Sequence, residues 1–552
     1  MLQETGDLPD GQRPLHALNR LGFGPRPGDL ERVGAIGVDR FIEEQLHPET
    51  LGEPAGLKDQ IAALRTLRMT PVELFVQFQL PVRNIGKNDI EAKKAARKRS
   101  RVIIEQAVRA RIIRAVHGPR QLQEVMTAFW FNHFNVFAGK GLCHLWTGAY
   151  EEEAIRPHTM GNFRTLLGAT AKHPAMLFYL DNWQNTAPNS PGRRGKFDGI
   201  NENYGRELME LHTLGVNGGY TQQDVIALAH ILTGWTIMRS NPARMMRNHR
   251  RRFAGRFSRF GGFRRFGSAG ENNGDGTNPH RFGSPLMADA AADQDGFLFD
   301  PRRHDFTDKV FLHQHIKGAG IEEGEHALDL LACSRATANH LSYELAQYFV
   351  ADAPPQPLVA RMAARYLASD GDIGAVLKTM FTSPEFWDRR NYGHKFKTPY
   401  EYVISAARAT GVTVRNARPL AGMMAQMGQP LYGCQTPDGY RNEQQAWLNP
   451  EAMMMRLSFA TALGAGRLPL GRPALDDVAD EGRMDDVGGA MVRTVAMDEP
   501  RGRAFKMEPP DPARLASTLG DLFSSRTDDA VMAAPPSLHA PLILGSPEFM
   551  MR

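Results

Sequence analysis

The sequence predicts a mostly α-helical fold, in which many helices form one large globular body and a basic, disordered insertion interrupts the chain. Two observations support this prediction. Apolar residues recur at i, i+3 and i+4 in most segments outside the insertion, which is the spacing of one helix face. Pro or a capping residue precedes many of these segments, and Gly follows several of them. The 42% hydrophobic and 23% charged residues are ordinary for a globular protein.

The chain has 552 residues, which is too many for one simple core, and its composition changes along its length. It is therefore expected to have five parts: residues 1–235, an N-terminal helical half with a polar helix; residues 236–298, an Arg/Phe/Gly-rich disordered insertion; residues 299–465, a C-terminal helical half; residues 466–511, a linker or loop; and residues 512–552, C-terminal helices that pack back on the body.

Helices are predicted in order along the chain from the apolar spacing and the residues that flank each segment. Before the insertion they span residues 14–21, 27–37, 38–46, 72–80, 89–117, 119–137, 149–155 and 163–171, with a short helix starting at Pro174. After the insertion they span residues 322–331, 336–349, 357–367, 373–381, 399–409, 450–463, 512–523 and 528–532.

Two segments concentrate positive charge. The helix predicted over residues 89–117 has a basic stripe that includes Lys94, Arg97, Lys98 and Arg101. The insertion contains RNHRRRFAGRFSRFGGFRRFG. The stripe is either a solvated helix face or a binding surface for an anionic partner. The insertion is either a tolerated surface loop or a segment that binds an anionic polymer such as RNA by charge and stacking.

The densest set of reactive side chains lies in residues 201–235, NENYGRELMELHTLGVNGGYTQQDVIALAHILTGW. The pattern predicts two helices joined by a Gly-rich turn. On the first helix Asn203, Glu207 and Glu210 are spaced i, i+4 and i+7, which places them on one face. Arg206 lies four residues before Glu210, so an ion pair competes for that carboxylate. His212 falls in the last turn of the helix. There it either interacts favourably, as a cation, with the helix dipole or takes part in chemistry.

Further candidates come from neighbouring segments. His133, in FWFNHFNVF, falls on an apolar helix face, where it is either a hydrogen-bonded core residue or a reactive group, and Asn135 flanks it. Asp181 and Asn182 follow the last apolar residue of the helix that begins at Pro174. Trp235 follows Gly234 and is interpreted as a lid, a stacking face or a core residue.

These residues support two kinds of function. In an enzyme, Glu207, Glu210 and His133 either bind a divalent metal or act as general acid and base. The expected substrate-binding residues are Asn135, Asp181, Asn182, Asn203, Arg206, His212 and Trp235. In a non-enzymatic scaffold or partner-binding protein, the same residues form a buried polar network. The sequence lacks an H-E-x-x-H motif and a P-loop, so neither a zincin-type protease nor a nucleotide enzyme is expected.

Cellular location is predicted from what the sequence lacks. The three cysteines form no CxxC pair, and the first 20 residues contain no basic region followed by an apolar run. No apolar run approaches the ~20 residues of a membrane span. A cytoplasmic protein is therefore expected, and the alternative is an exported, periplasmic protein whose signal was removed.

Long stretches of the chain resemble the bacterial domain-of-unknown-function family 1800. They include FWFNHFNVF, KHPAMLFYLDN, NENYGRELMELHTLGVNGGYTQQDV, FDPRRHD and GQPLYG…TPDGY. The resemblance implies a largely helical protein and supplies no established activity. Since some relatives are exported and encoded beside a second uncharacterised protein, it also implies export or a protein partner. The chain departs from the family pattern at Cys333-Ser334 and at Gly205.

Overall fold

The structure is a computed structural model that describes residues 6–83, 85–86, 88–192, 199–238, 296–471 and 507–552. Helices dominate its N-terminal part, as the apolar spacing predicts. They are α1 (Arg13–Arg20), α2 (Asp29–Ile36), α3 (Val38–Leu46), α4 (Ala55–Ala62), α5 (Pro71–Leu74), α6 (Leu80–Arg83), α7 (Ile90–His117), α8 (Gln121–His133), α9 (Cys143–Ala149), α10 (Phe163–Lys172), α11 (Pro174–Tyr179), α12 (Asn203–Glu210) and α13 (Gln222–Ile231).

Helices also dominate the C-terminal part. They are α14 (Ile321–Ala332), α15 (Arg335–Phe349), α16 (Gln356–Ala368), α17 (Ile373–Phe381), α18 (Pro399–Ala409), α19 (Arg418–Gln426), α20 (Pro450–Gly464), α21 (Pro512–Leu519), α22 (Ser525–Ala533) and α23 (Pro536–Gly545). The predicted mostly α-helical fold is confirmed.

Short strands supplement the helices. The antiparallel strands β1 (Trp235–Ile237) and β2 (Phe297–Phe299) pair Trp235 with Phe299 and join the two sides of the insertion. A second antiparallel pair consists of β3 (Lys309–Phe311) and β4 (Gln314–Ile316). Residues 239–295 lie outside the described residues, so the expectation that they are disordered stays a prediction. Residues 472–506 of the expected linker also lie outside them.

Helix starts follow the predicted capping chemistry. Thr221 and Asp224 form a capping box at α13, in which each side chain accepts a hydrogen bond from the other residue's backbone N–H. Thr398 and Glu401 do the same at α18. These boxes satisfy backbone donors that the first helical turn leaves unpaired. Asp224 therefore has a structural role at the start of α13.

One apolar cluster contains side chains from most of the described chain. It includes Phe41 of α3, Trp130 of α8, Phe163 of α10, Phe349 of α15 and Phe459 of α20. Both helical halves thus contribute to the same core, and the five-part division remains a prediction. No helix within the described residues is both long enough and apolar enough to cross a membrane. Whether the protein is cytoplasmic or exported stays a prediction.

Candidate functional site

The candidate site lies on α12, where the predicted polar row is present. Asn203 is the first residue of the helix and Glu210 the last, with Glu207 one turn before Glu210. The opposite face, with Tyr204, Leu208 and Met209, is buried in the core. Packing of that face therefore fixes the direction in which the polar row points.

The C-terminus of α12 comes earlier than the apolar spacing suggests. The N–H of Gly215 donates to the carbonyl of Met209 at 3.2 Å, and Gly215 has a φ of 80°. This left-handed residue ends the helical direction, as glycine commonly does after a helix. His212 consequently lies beyond the helix rather than in its last turn, and its side chain is buried.

Glu207 is a carboxyl in an unusual environment. Its side chain is half-buried, and burial raises its pKa above the ordinary value. The carboxylate of Glu210 raises the pKa of Glu207 further, Arg206 acts in the opposite direction, and Asp438 adds a smaller increase. Desolvation and like charges both favour the neutral form of a carboxyl, so Glu207 holds its proton to a higher pH than an exposed glutamate.

Arg206 and Tyr220 hold the neighbouring carboxylate in place. The Arg206 guanidinium lies 3.5 Å from Glu210 and 3.2 Å from Glu202. Burial, together with the neighbouring Glu210 carboxylate, raises the pKa of Tyr220 to about 12. Arg206 and Tyr220 thus both lie beside the Glu210 carboxylate.

A distant loop, residues 430–440, brings Asp438 to the site. The side chain of Asn132 accepts from the N–H of Tyr440 at 2.7 Å and donates to the Tyr440 carbonyl at 2.8 Å. Asn135 donates to the carbonyls of Cys434, at 3.1 Å, and Thr436, at 2.7 Å. Two asparagines from the end of α8 thus fix both sides of the loop.

The end of α11 forms the other border of the site. The Tyr179 hydroxyl donates to the carbonyl of Gln435 at 2.8 Å, which ties α11 to the same loop. Lys140 lies 2.7 Å from Asp181, which has a left-handed φ of 60°. Asn203 donates to the carbonyl of Leu180 at 3.2 Å, so α12 is connected to this border as well.

His133 lies in a second cluster, separate from the carboxyl groups. Its Nδ1 is 2.7 Å from Glu344 and its Nε2 is 3.2 Å from the carbonyl of His212. His340 lies 3.6 Å from the same glutamate. Although burial acts to raise it, the charge of His133 holds the pKa of Glu344 below the ordinary value. Each nitrogen of His133 already faces an oxygen, so this ring links α8, the end of α12 and α15.

His212 completes this histidine cluster. Its ring centroid lies 6.1 Å from that of His133. Burial lowers the pKa of His212 well below the ordinary value, and the charges of His133 and His340 lower it further. Nε2 of His212 is buried without a hydrogen-bond partner among the described residues. Its environment therefore favours the neutral ring at neutral pH.

Besides Asn135 and His212, two further expected substrate-binding residues are buried, Asn182 and Trp235. Asn182 is buried and donates to the carbonyls of Trp235, at 3.0 Å, and Leu232, at 3.3 Å. Trp235 is fully buried in β1, which selects the core interpretation among the three for this residue. Asn182 thus ties the end of α11 to the backbone of residues 232–235.

The ligands for the predicted metal do not converge in the described part of the chain. No group of three or more His, Cys, Asp or Glu side chains there has the geometry to hold an ion. Ligation by His133 would break one of its two hydrogen bonds. The metal site with His133, Glu207 and Glu210 stays a prediction without geometric support.

Two clefts of about 560 and 570 Å³ open elsewhere, beside the N-terminal helices. Arg13 and Asp39 line both clefts, whereas Glu207 and His133 line neither. The α12 site, bounded by the loop and the end of α11, is therefore distinct from both of these clefts.

Sequence reasoning missed Asp438, Tyr179, Tyr220 and Glu344 at these positions. The first belongs to TPDGY, a stretch that the family resemblance includes but to which no chemistry was assigned. Asp438 and Glu344 lie hundreds of positions from Glu207 and His133, and contacts at such separations leave no local periodicity. Tyr220, in contrast, lies ten residues from Glu210 in the same segment.

Comparison with known proteins gives a family and no activity. A comparison with curated proteins and one with solved structures found no match. The family described as "Protein of unknown function (DUF1800)" matches residues 16–551, nearly the whole chain. The match includes α8, α12 and the loop that contains Asp438. The chain belongs to the DUF1800 family.

Proposed function

We propose that the protein is a hydrolase in which a pair of carboxyl groups on the α12 surface provides acid and base. The observation that supports this proposal is the raised pKa of Glu207, which is half-buried beside Glu210 and Asp438. A carboxyl that keeps its proton near ionised carboxylates can serve as a general acid at a pH where its neighbours serve as bases.

Each carboxyl has a distinct role in this proposal. Glu207 donates its proton to the leaving-group oxygen as the substrate bond breaks. Asp438, whose side chain is 37% exposed, takes a proton from the water that attacks the other side of that bond. Glu210, held by Arg206 and Tyr220, keeps the pKa of Glu207 high. After product release the proton returns from Asp438 to Glu207, so one water is consumed and neither group is changed.

The charge of the surface restricts the substrate. Under this proposal the carboxylates of Glu210 and Asp438 repel phosphate esters and other anions, so a neutral or cationic substrate is expected. Hydrolysis by two carboxyl groups is the common chemistry of glycosidic bonds. Because Asn203 is exposed and the row is only partly buried, the site admits a chain such as an oligosaccharide. His133 positions the segment that follows α12 through its contact with the His212 carbonyl and takes no proton-transfer step.

The test compares two glutamates of this segment. Glu207→Gln keeps the shape and removes the acid, whereas Glu202→Gln changes a carboxylate that pairs with Arg206 and Gln222. Neutral aryl glycosides are the probes. Activity that Glu207→Gln lowers by ~10²-fold or more, and that Glu202→Gln leaves within a few-fold, supports the proposal. Equal activity in Glu207→Gln and the wild type contradicts it.

A second function, a non-enzymatic scaffold, is favoured by the network behind the row. His133, Asn135 and Asn182 are all buried and hydrogen-bonded, and they connect segments more than 50 residues apart. Under this proposal Asn203, Glu207 and Glu210 are surface residues without a catalytic role, and the buried network behind them connects the segments of the fold. Wild-type stability in Glu207→Gln, with no hydrolysis of any probe by the wild type, favours the scaffold over the hydrolase.

A further inference from the structure

The two clefts beside the N-terminal helices adjoin each other. Their volumes are about 560 and 570 Å³, and Arg13 and Asp39 line both of them, so the clefts meet at these two side chains. The lining of one cleft extends to Asp521, which follows α21, and the lining of the other extends to Trp387, which follows α17. Volumes of this size are typical of sites that bind small molecules.

Carboxylates dominate the charge of both clefts. The acidic residues that line them are Asp7, Asp10, Asp39, Glu43 and Asp521, whereas Arg13 is the one basic residue in either lining. The whole chain, in contrast, has a formal net charge of +5. The clefts are therefore opposite in sign to the rest of the chain, and their field attracts cations.

Three of these carboxylates have no cation beside them. Asp7, Asp39 and Asp521 are exposed and form no ion pair with another described residue. The other two acidic residues lie 2.7 Å from Lys378 and 3.5 Å from Arg13. Helix dipoles do not offset this charge: α1 and α3 begin at the clefts, whereas α2, α17 and α21 end there. The partial charges of these helix ends therefore add no net positive charge.

Apolar side chains also line the clefts. Leu15, Leu30 and Val33 line one cleft, and Ile42 and Pro384 line the other. A metal ion needs several oxygen ligands around one point. No group of three or more His, Cys, Asp or Glu side chains in the described part of the chain has that geometry. A flexible aliphatic chain with separated ammonium groups fits this lining better, because its methylene groups contact the apolar side chains while its charges face the carboxylates.

Two buried polar atoms beside the clefts lack a hydrogen-bond partner among the described residues. One is the hydroxyl of Tyr392, which lines a cleft. The other is Nδ1 of His16, whose ring lies 5.4 Å from that of Trp387 and 6.1 Å from that of Tyr392. Nε2 of His16 donates to the carbonyl of Phe386 at 3.0 Å, so Nδ1 is an acceptor. Buried polar groups are normally satisfied, and an ammonium group is a donor of the kind that both atoms lack.

We propose that the two clefts bind an aliphatic polyamine, a flexible chain of methylene groups that carries several ammonium groups. One ammonium group faces Asp39, where the clefts meet, and others face Asp7 in one cleft and Asp521 in the other. A basic protein segment offers similar charges, but two adjoining clefts of this volume suit a small molecule. The proposal does not depend on the hydrolase function, because Glu207 lines neither cleft.

Isothermal titration calorimetry with spermidine tests this site in the full-length protein at low ionic strength. Asp39→Asn with Asp521→Asn removes two of the three unpaired carboxylates and is expected to raise the dissociation constant by about tenfold or more. Asp59→Asn with Asp529→Asn is the matched control, because both residues are exposed and line neither cleft. The control removes the same charge and is expected to change the dissociation constant by less than about twofold.

A wild type that does not bind spermidine overturns the proposal, and so does a cleft variant that binds it as tightly as the control variant. Octanediol, which has an aliphatic chain without charge, should not bind, and binding as tight as that of spermidine would contradict the role of the carboxylates. Trilysine binding without spermidine binding would identify a basic protein segment as the ligand instead. Circular dichroism establishes folding. If the double variant does not fold, Asp521→Asn is compared with Asp529→Asn, and equal spermidine binding by these two counts against the site.

Discussion

Asn132→Ala is expected to loosen the loop that brings Asp438 to the site. The substitution removes two hydrogen bonds to one residue, from the N–H of Tyr440 at 2.7 Å and to its carbonyl at 2.8 Å. Each such bond contributes ~0.5–1.5 kcal/mol net. We therefore expect the free energy of unfolding to fall by ~1–3 kcal/mol, the sum of the two.

Urea denaturation measures the loss in stability, and hydrogen exchange of the Tyr440 amide measures the local opening. Asn339→Ala is the control, because Asn339 is exposed on α15 and should change stability by less than ~0.5 kcal/mol. Exchange of Tyr440 is expected to accelerate in Asn132→Ala alone. Unchanged exchange and a stability loss no larger than that of the control would refute the view that this asparagine holds the loop.

Three other perturbations test other parts of the structure. In His212→Gln, the free energy of unfolding should depend less on acid than in the wild type. The lowered pKa of His212 stabilises the wild type above pH ~6.5, and this contribution is lost at up to ~1.4 kcal/mol per pH unit as the pH falls below that value. Identical pH profiles of the two proteins would exclude a neutral buried ring. Gly324→Ala should lower the free energy of unfolding by ~1–3 kcal/mol, because the added methyl group would lie 2.2 Å from Trp235. Gly34→Ala is the control: it has open space around it and should stabilise α2 by up to ~1 kcal/mol. Thermal unfolding of both variants distinguishes a packed Trp235 from a movable one. Arg97, Lys98 and Arg101 form no ion pair with another described residue. If α7 binds anionic polymers, we expect the affinity for heparin to fall steeply as the salt concentration rises. The fall should be less steep when all three residues are changed to Gln.

Helices were largely predictable because each leaves a local pattern. The apolar spacing indicated a helix over residues 89–117, and α7 spans Ile90–His117. The spacing of Thr221 and Asp224 is that of a capping box, and the structure has this box at the start of α13. Strand β1 was not predicted, because three residues are too few to show an alternating pattern.

The site was predictable only where one helix contains it. Spacing placed Asn203, Glu207 and Glu210 in one row, and α12 shows that row. His133 was expected beside these carboxyl groups, but its partner is Glu344, which lies 211 residues away along the chain. Which side chains meet across such distances is decided by helix packing, and a single sequence contains no periodic signal for it.

The central claim is that Glu207 holds its proton more tightly than an ordinary glutamate. The most direct test is a carboxyl ¹³C titration by NMR, with the Glu207 signal assigned by its loss in Glu207→Gln. We predict that Glu207 titrates above the ordinary glutamate value, because burial and the Glu210 carboxylate raise its pKa. Titration of Glu207 at or below the ordinary value would contradict the proposed acid–base role.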